Sequence, residues 1–277
     1  MTYGQLFAQL EQELVACGEE REALKIVFRE LKGWSLTDLV LSLRDEVSAQ
    51  DSKLIDTIFH QLKNHRPAQY ILGYAPFAGM ELKVDERVLI PRPETEELVE
   101  LILAENSQKT LKVLDLCTGS GAIALALKKG SPDWSILASD ISEKALEVAI
   151  ENANVQDLSV RFMLSDLFDA ISGKFDIIVS NPPYIAYEDR EEVGVNVLTS
   201  EPHLALFAKE DGLAIYRQII DKASAYLTRN GKLYFEIGYK QGQAVSHLLA
   251  EHFPKRRVRI LQDQFGKDRM VVMDHGG

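Results

Sequence analysis

The sequence has few of the residues that mark secreted, metal-binding and membrane proteins. It contains two cysteines, Cys17 and Cys117, which are not at metal-ligand spacing, and six scattered histidines. We therefore expect reduced thiols and no metal site. No apolar run approaches the ~20 residues that cross a bilayer, and the first residues lack the basic start and apolar stretch of a signal peptide. These absences indicate a cytoplasmic protein that does not bind membranes.

Basic residues are also scarce. The chain has 31 Lys and Arg against 42 Asp and Glu, which gives a net charge of −11. Binding to duplex nucleic acid depends on Lys and Arg contacts to phosphates. The dense basic run at residues 255–259 alternates with apolar residues, as the exposed face of a strand does. We therefore expect no direct nucleic-acid binding, and the acidic charge suits a protein partner with a basic surface.

The spacing of apolar residues predicts three regions. Residues 1–65 have helical spacing and predict a small bundle of four or five short helices, which either docks a substrate or only stabilises the protein. Residues 66–90 alternate weakly and predict a β-hairpin linker. Residues 91–277 alternate between strands and helices, which predicts an α/β domain with a largely parallel sheet.

The predicted sheet of this domain has seven strands. They cover residues 111–116, 134–139, 158–163, 175–180, 231–237, 256–262 and 269–274. The helices between them are predicted at residues 120–129, 142–153, 211–227 and 241–252. We expect the first and fourth of these strands to be neighbours where the strand order reverses, because ligands of such sheets bind at the carboxyl ends of strands there.

The fourth predicted strand ends in the tetrapeptide Asn181-Pro182-Pro183-Tyr184. Each proline fixes its own φ and has no N–H, so the loop is rigid, extended and able to present carbonyl oxygens. Asn181 adds a side-chain acceptor. Such a loop suits a planar NH2 group whose two hydrogens both need acceptors, either a carboxamide or the exocyclic amine of a base.

The first predicted strand ends in a turn of small residues, Cys117, Thr118, Gly119, Ser120 and Gly121, and a helix follows it. The glycines allow a ligand to approach the main chain closely. Asp115, just before the turn, would repel phosphate and attract an ammonium group. Asp140 follows the second glycine by about 20 residues, the spacing of a carboxylate that binds ribose hydroxyls. An amino group and a ribose without phosphate describe S-adenosylmethionine better than NAD.

These runs resemble the protein-glutamine N5-methyltransferases that modify bacterial peptide-chain release factors, which belong to the Rossmann-like class I methyltransferases. The resemblance extends from about residue 66 to the C-terminus. Matching runs occur at residues 70–73, 89–96, 115–121, 181–185, 201–202, 205–206, 211–213 and 236–238. The Asn-Pro-Pro-Tyr motif also occurs in DNA and RNA amino-methyltransferases. The run at 89–96 narrows the match to the glutamine methyltransferases. Cys117 departs from the family, in which many members have glycine at this position.

The resemblance implies transfer of a methyl group from S-adenosylmethionine to the side-chain amide nitrogen of glutamine in the Gly-Gly-Gln motif of release factors, with S-adenosylhomocysteine as product. It implies that Asn181 Oδ1 and the Pro182 carbonyl accept the two amide hydrogens, while Tyr184 packs on the amide plane. Pro183, Arg92, Glu94 and Glu201 are the further candidates for substrate binding. The candidates for cofactor binding are Asp115, Cys117, Thr118, Gly119, Ser120, Gly121, Asp140 and Asn181.

Three more residues are predicted to contact the adenine of the cofactor. Asp166 is placed to accept a hydrogen bond from the adenine amine, and Leu167 and Phe168 are expected to line the adenine slot. The release factor is the expected protein partner, and we expect the enzyme to act as a monomer.

Two alternatives remain at this point. An amino-methyltransferase acting on adenine or cytosine in nucleic acid could use the same loop, with Tyr184 stacked on a flipped base. A protein that only binds S-adenosylmethionine would have no use for the Asn-Pro-Pro-Tyr motif. The sequence does not indicate which release factor is preferred, or whether other proteins are methylated.

Overall fold

The computed structural model describes residues 1–108 and 110–276. Lys109 and Gly277, which belong to the predicted methyltransferase domain, lie outside the described residues. The chain divides into two compact units. The first comprises Met1–Tyr74 and Val193–Glu201, and the second comprises Ala75–Glu192 and Pro202–Gly277.

The elements are numbered in chain order. The helices are α1 (Tyr3–Ala16), α2 (Ala23–Lys32), α3 (Leu36–Ser42), α4 (Ala49–Lys63), α5 (Ala68–Leu72), α6 (Pro93–Glu105), α7 (Ala122–Gly130), α8 (Glu143–Val155), α9 (Val195–Ser200), α10 (Ala214–Tyr226) and α11 (Gly242–His252). The strands are β1 (Tyr74–Phe77), β2 (Met80–Lys83), β3 (Lys112–Leu116), β4 (Ser135–Asp140), β5 (Arg161–Leu164), β6 (Phe175–Ser180), β7 (Ile185–Ala186), β8 (Phe207–Ala208), β9 (Leu227–Glu236), β10 (Arg257–Gln262) and β11 (Asp268–Asp274). No helix among the described residues is long and apolar enough to cross a bilayer.

The first unit is a helical bundle around an aromatic and aliphatic core. Residues 1–65 form four helices, of which α1, α3 and α4 begin at a Thr or Ser side chain that accepts a hydrogen bond from the first turn. Phe7, Phe28 and Ile58 are among the fully buried side chains of the core. Asp51, also buried, pairs with Lys32 at 2.8 Å, so the bundle encloses a charge only with a partner.

The predicted hairpin is shorter than expected. Residues 68–72 form the helix α5, because Pro67 precedes its first turn and Gly73, with a φ of 82°, ends it in the left-handed region. Only β1 and β2 form the two-stranded sheet in this region. Ala78 and Gly79 between them both have positive φ, as a two-residue hairpin turn requires.

The second unit contains the predicted seven-stranded sheet. Its strand order is β10-β11-β9-β6-β3-β4-β5, and β11 alone among these strands runs against its neighbours. The predicted adjacency of the first and fourth core strands is confirmed, because β3 pairs in parallel with β6. Strand β5 begins later than predicted, at Arg161 rather than Leu158.

Alternate residues of the strands face two separate hydrophobic cores. On one face, Val113 and Val179 pack with apolar residues of α6, α7 and the hairpin. On the other, Leu114 and Ile178 pack with residues of α10 and α11. Helices therefore cover both faces of the sheet, and its interior strands are apolar on both sides. The carboxyl ends of β3, β4 and β6 are where polar residues of these strands come together.

Candidate active site

A cavity of about 180 Å³ lies at the carboxyl ends of β3, β4 and β6. Ten of the predicted site residues border it. They are Arg92, Cys117, Thr118, Gly119, Ser120, Asp140, Asp166, Leu167, Asn181 and Pro183. The turn after β3 and the loop after β6 therefore face one common space, as the predicted strand adjacency requires.

The glycine turn (residues 117–121) has an unusual backbone. Cys117, Gly119 and Gly121 have φ values of 62°, 56° and 83°. A Cβ atom on Gly119 would meet nothing within 4 Å, whereas one on Gly121 would approach the Cβ atom of Ala149 to 3.2 Å. Gly119 thus leaves space above the turn, and Gly121 allows α8 to pack closely. Cys117 adopts a left-handed conformation that costs a non-glycine residue energy.

Asp115 lies beneath the turn and is fully buried. The Thr118 hydroxyl donates to its Oδ2 at 2.6 Å, while Oδ1 has no hydrogen-bond partner among the described residues. Burial raises the pKa of Asp115 to about 7, against the opposing effect of the Thr118 hydrogen bond. The Ser139 hydroxyl, on the paired strand β4, is likewise buried without a partner in the described chain. Two buried polar atoms beside the cavity thus retain capacity to bind a ligand.

Asp140 holds the turn in place. Its Oδ2 accepts from the Gly119 N–H and its Oδ1 from the Ser142 N–H, both at 2.9 Å. Burial raises its pKa, and these two N–H groups oppose that shift. Each carboxylate oxygen retains a further lone pair, so Asp140 can still accept hydrogen bonds from a diol in the cavity.

Asn181 is held by a chain of polar side chains. Its Nδ2 donates to Thr95 Oγ1 at 3.3 Å, and the Thr95 hydroxyl donates to Glu236 Oε2 at 2.6 Å. Glu236, the last residue of β9, is 1% exposed, and burial raises its pKa to about 7. The Tyr216 hydroxyl donates to the Glu236 carbonyl at 2.7 Å. The residue predicted to bind the amide therefore has a buried support.

The backbone of the Asn-Pro-Pro-Tyr loop (residues 181–184) is also fixed from outside. The Gln241 side chain donates to the Tyr184 carbonyl at 2.8 Å and accepts from the Gly238 N–H at 3.0 Å. The next residue, Ile185, begins β7, which pairs with β8. Gly212 passes so close that a Cβ atom there would lie 2.0 Å from the Tyr184 carbonyl oxygen. This contact accounts for a glycine at position 212.

Several predicted site residues do not border the cavity. Asp115, Gly121, Pro182 and Tyr184 are not among its lining residues. The Phe168 ring is buried and stacks on Tyr226 at 4.3 Å between centroids, so it belongs to the core and not to the lining.

Two further predicted residues stand apart from the lining. Glu94 lies in the first turn of α6, half-buried. Glu201 ends α9 in the first unit.

The remaining adenine candidates, Asp166 and Leu167, border the cavity. Leu167 has a φ of 46°, and its carbonyl accepts from the Ser165 hydroxyl at 2.9 Å. The same Ser165 oxygen accepts from the Ala170 N–H at 3.0 Å. Asp166, between Ser165 and Leu167, is exposed and borders the cavity. Ser165 thus shapes this part of the wall, although no sequence pattern pointed to it.

Sequence reasoning also missed the supports of the site. Thr95 and Glu236 hold Asn181, and Gln241 holds Tyr184, from positions far along the chain. Asn152 of α8 donates to the carbonyls of Ser120 and Lys83 at 3.0 and 3.1 Å, which ties the glycine turn to the hairpin. The available signal was polar residues at apolar-periodic positions, because a buried polar side chain requires a partner.

No group of three or more His, Cys, Asp or Glu side chains within residues 1–108 and 110–276 is arranged to hold a metal ion. The polar side chains that line the cavity include carboxylates, hydroxyls, one carboxamide and the guanidinium groups of Arg87 and Arg92. They suit an organic ligand with donor groups.

Comparisons with known proteins agree with this geometry. Residues 95–204 match the family model of the methyltransferase small domain, and residues 5–73 match that of the PrmC N-terminal domain. The release factor glutamine methyltransferase of Streptococcus pneumoniae is 60% identical over 100% of this chain and 99% of its own. That of Lactococcus lactis is 49% identical over 96% and 98%. A methyltransferase structure from Pyrococcus furiosus, 18% identical, shares the fold with a TM-score of 0.55 over 72% of this chain and 90% of its own.

Proposed function

Because this chain belongs to the release factor glutamine methyltransferase family, we propose that it methylates the side-chain amide nitrogen of a glutamine in peptide-chain release factors. The methyl donor is S-adenosylmethionine, and the target is the glutamine of the Gly-Gly-Gln motif. The observation that carries this proposal is the adjacency of β3 and β6, which places the glycine turn and Asn181 on one cavity.

The residues at the turn fit S-adenosylmethionine. Asp115 Oδ1 and Ser139 Oγ, both buried without partners in the described chain, can accept from its ammonium group. Asp140 can accept from both ribose hydroxyls, and Asp166 from the adenine amine. The open space above Gly119 admits a ligand close to the backbone. No group in this set favours phosphate, since Asp115 and Asp140 would repel it.

The Asn-Pro-Pro-Tyr loop aligns the glutamine amide nitrogen with the methyl group. Bound S-adenosylmethionine provides a methyl group that its sulfonium has already activated. The glutamine nitrogen is a weak nucleophile because its lone pair is delocalised into the carbonyl. Asn181 Oδ1 and the Pro182 carbonyl each accept one amide hydrogen, which directs the lone pair at the methyl carbon and stabilises the positive charge that grows on nitrogen. Solvent takes the proton, and Tyr184 closes the site against water.

A direct experiment tests this function. The protein is incubated with methyl-labelled S-adenosylmethionine and a purified release factor, and the modified residue is mapped by mass spectrometry. We expect one methyl group on the glutamine of the Gly-Gly-Gln motif, and none on a factor in which that glutamine is replaced by alanine. Label on another residue, or label on nucleic acid in place of the factor, would contradict the proposal.

The arginines of the basic run at residues 255–259 are bound within the protein. Arg257 and Arg259 of β10 both donate to Asp274, and Arg259 also pairs with Glu105 at 2.8 Å. Burial opposes ionisation of Asp274, but the hydrogen bonds from these arginines outweigh it and lower its pKa to about 2. Arg256 donates to backbone carbonyls. These three arginines therefore have partners within the protein, which supports a protein substrate over nucleic acid.

We assign the helical bundle a role in docking the release factor. Three large apolar side chains of α3 are exposed, Leu36 at 63%, Val40 at 55% and Leu41 at 71%. The double replacement of Leu36 and Leu41 by serine should raise KM for the intact factor without changing the affinity for S-adenosylmethionine. Val155→Ser, which removes an equally exposed apolar side chain from α8, is the matched control. An unchanged KM in the double variant would refute the docking role. Action as a monomer in the cytoplasm completes the proposal.

A further inference from the structure

We propose that Glu236 is a positioning residue that sets the orientation of the Asn181 carboxamide. Acting with the Thr95 hydroxyl, it holds the amide nitrogen of Asn181 towards the protein and thereby turns Oδ1 towards the substrate. This inference rests on the proposed function for what Oδ1 binds, but the orientation itself is a property of the protein.

The direction of the hydrogen bonds carries the argument. A threonine hydroxyl has one hydrogen. That of Thr95 is directed at Glu236 Oε2, 2.6 Å away, so the Thr95 oxygen can only accept from its other neighbour. Asn181 is that neighbour, with Nδ2 at 3.3 Å. The Asn181 side chain also lowers the pKa of the Glu236 carboxyl, so it interacts favourably with the carboxylate. The Thr95 oxygen and the Glu236 carboxylate both act as acceptors, so they favour the amide hydrogens of Asn181 on their side.

A flipped carboxamide would be penalised twice. Oδ1 would then face the Thr95 oxygen and a carboxylate, both of which are acceptors, in a region where Thr95 is 4% and Glu236 1% exposed. The flipped NH2 group would in turn face the cavity and meet the NH2 group of the glutamine substrate, where an acceptor is needed. The carboxylate therefore selects the one orientation that is competent for binding.

The surroundings of Glu236 anchor it for this role. The Tyr216 hydroxyl donates to its carbonyl, so its backbone position is fixed. Arg269 lowers the pKa of Glu236 and Glu94 raises it, through charges of opposite and like sign. Arg269 is itself bound to Asp263 and to the Ile237 carbonyl. No other role in the reaction is required of Glu236, because it does not border the cavity.

The test replaces the carboxylate with a group of the same shape that accepts either orientation. In Glu236→Gln, the new amide can donate as well as accept, so Asn181 is free to flip. At pH 8.5, where the parent carboxyl is ionised, we expect kcat on the release factor to fall ~10–100-fold, with affinity for S-adenosylmethionine within about threefold by calorimetry. Thr95→Val should show the same pattern, and Thr95→Ser should recover most of the kcat that Thr95→Val loses.

The control removes an equivalent buried hydrogen bond away from the site. Tyr234 lies two residues earlier on β9, on the same face, and its hydroxyl bonds Asn106 and Glu105 at 3.0 Å. Tyr234→Phe should lower the melting temperature and keep kcat. A parent-like kcat in Glu236→Gln would overturn the proposal. So would a result in which Glu236→Gln and Tyr234→Phe both lose kcat in proportion to their loss of melting temperature.

A second readout does not depend on the reaction. In ¹⁵N-labelled protein, the side-chain NH2 group of Asn181 should exchange its hydrogens with water slowly in the parent and much faster in Glu236→Gln. Equal exchange rates would refute the positioning role even if glutamine is methylated. Slow exchange in a parent that fails to methylate glutamine would leave the positioning role standing and refute the proposed function alone.

Discussion

The two sides of the active site are stabilised in different ways. At the glycine turn, contacts come from nearby in the chain, with Thr118 on Asp115 three residues away and Gly119 on Asp140 21 residues away. The Asn-Pro-Pro-Tyr loop depends on distant residues, since Thr95 is 86 residues from Asn181 and Gln241 is 57 from Tyr184. The cofactor side thus forms within one continuous segment, from β3 to α8. The substrate side forms only when α6, β9 and α11 are assembled around it.

Each side nevertheless contains one fully buried carboxyl group. Burial raises the pKa of both Asp115 and Glu236 to about 7. Asp115 has an oxygen without a partner in the described chain, whereas Glu236 is bound to Thr95. We infer that the Asp115 carboxyl binds a ligand, whereas the Glu236 carboxyl binds other side chains of the protein. Substitutions on the two sides should therefore separate into effects on cofactor affinity and effects on kcat.

The largest effect is expected on the substrate side, at Asn181 itself. Asn181→Ala removes an acceptor that stabilises charge in the transition state, so kcat should fall ~10²–10³-fold, by analogy with deleted oxyanion-hole donors. Asn181→Asp retains an acceptor and should keep partial activity. Steady-state kinetics and calorimetry would show kcat lost and cofactor affinity nearly unchanged. A parent-like rate in Asn181→Ala would refute the placement of the active site.

A slightly smaller loss is expected when the loop is displaced as a whole. In Gly212→Ala, the new Cβ would lie 2.0 Å from the Tyr184 carbonyl oxygen and 2.4 Å from Gln241 Nε2, so the loop must move. A misplacement of this size should cost ~10²-fold in kcat. Gly173→Ala is the control, because Gly173 also has a positive φ but has nothing within 4 Å of an added Cβ. Equal kcat losses in both variants would point to backbone strain alone.

On the cofactor side, the comparison predicts a loss of affinity. Asp140→Ala removes hydrogen bonds of a charged group, each worth about 1.5–3 kcal/mol, and should weaken binding of S-adenosylmethionine by roughly 10–100-fold. It also frees the Gly119 N–H that Asp140 holds at 2.9 Å. At saturating cofactor, kcat should stay near the parent value. Calorimetry that gives an unchanged dissociation constant would rule out the ribose assignment.

The same contrast explains how far the sequence could predict the molecule. The sheet, the adjacency of β3 and β6 and the glycine turn follow from local patterns, because apolar periodicity and glycine spacing act over a few residues. The supports Thr95, Glu236 and Gln241 could not be found this way, since their contacts depend on which elements the fold brings together. Helix α5 was missed because Pro67 and Gly73 delimit it within a run that alternates weakly.

Phe168, in contrast, was predicted to line the adenine slot but lies in the core. Its neighbours Asp166 and Leu167 border the cavity, whereas the position of all three residues after the third core strand had predicted an adenine contact for each. The chain turns at Leu167, where φ is 46°, and the Phe168 ring then enters the core against Tyr226. The position of a residue after a core strand indicates that it lies near the site. The direction of its side chain after a turn depends on a backbone angle that the sequence does not specify.

The smallest predicted effect concerns the buried carboxyl beneath the turn. The pKa of Asp115 is about 7 in the folded protein and 3.8 ordinarily, so between these values the folded state holds a proton that the unfolded state has lost. Stability therefore falls as pH rises through this window and levels off above pH 7. Asp115→Asn removes this dependence. Between pH 6 and pH 8, the variant should gain about 1–2 kcal/mol of unfolding free energy relative to the parent. Urea unfolding at both pH values measures this difference. Glu236 titrates in both proteins and cancels, so parallel pH profiles would show that Asp115 remains ionised in the fold.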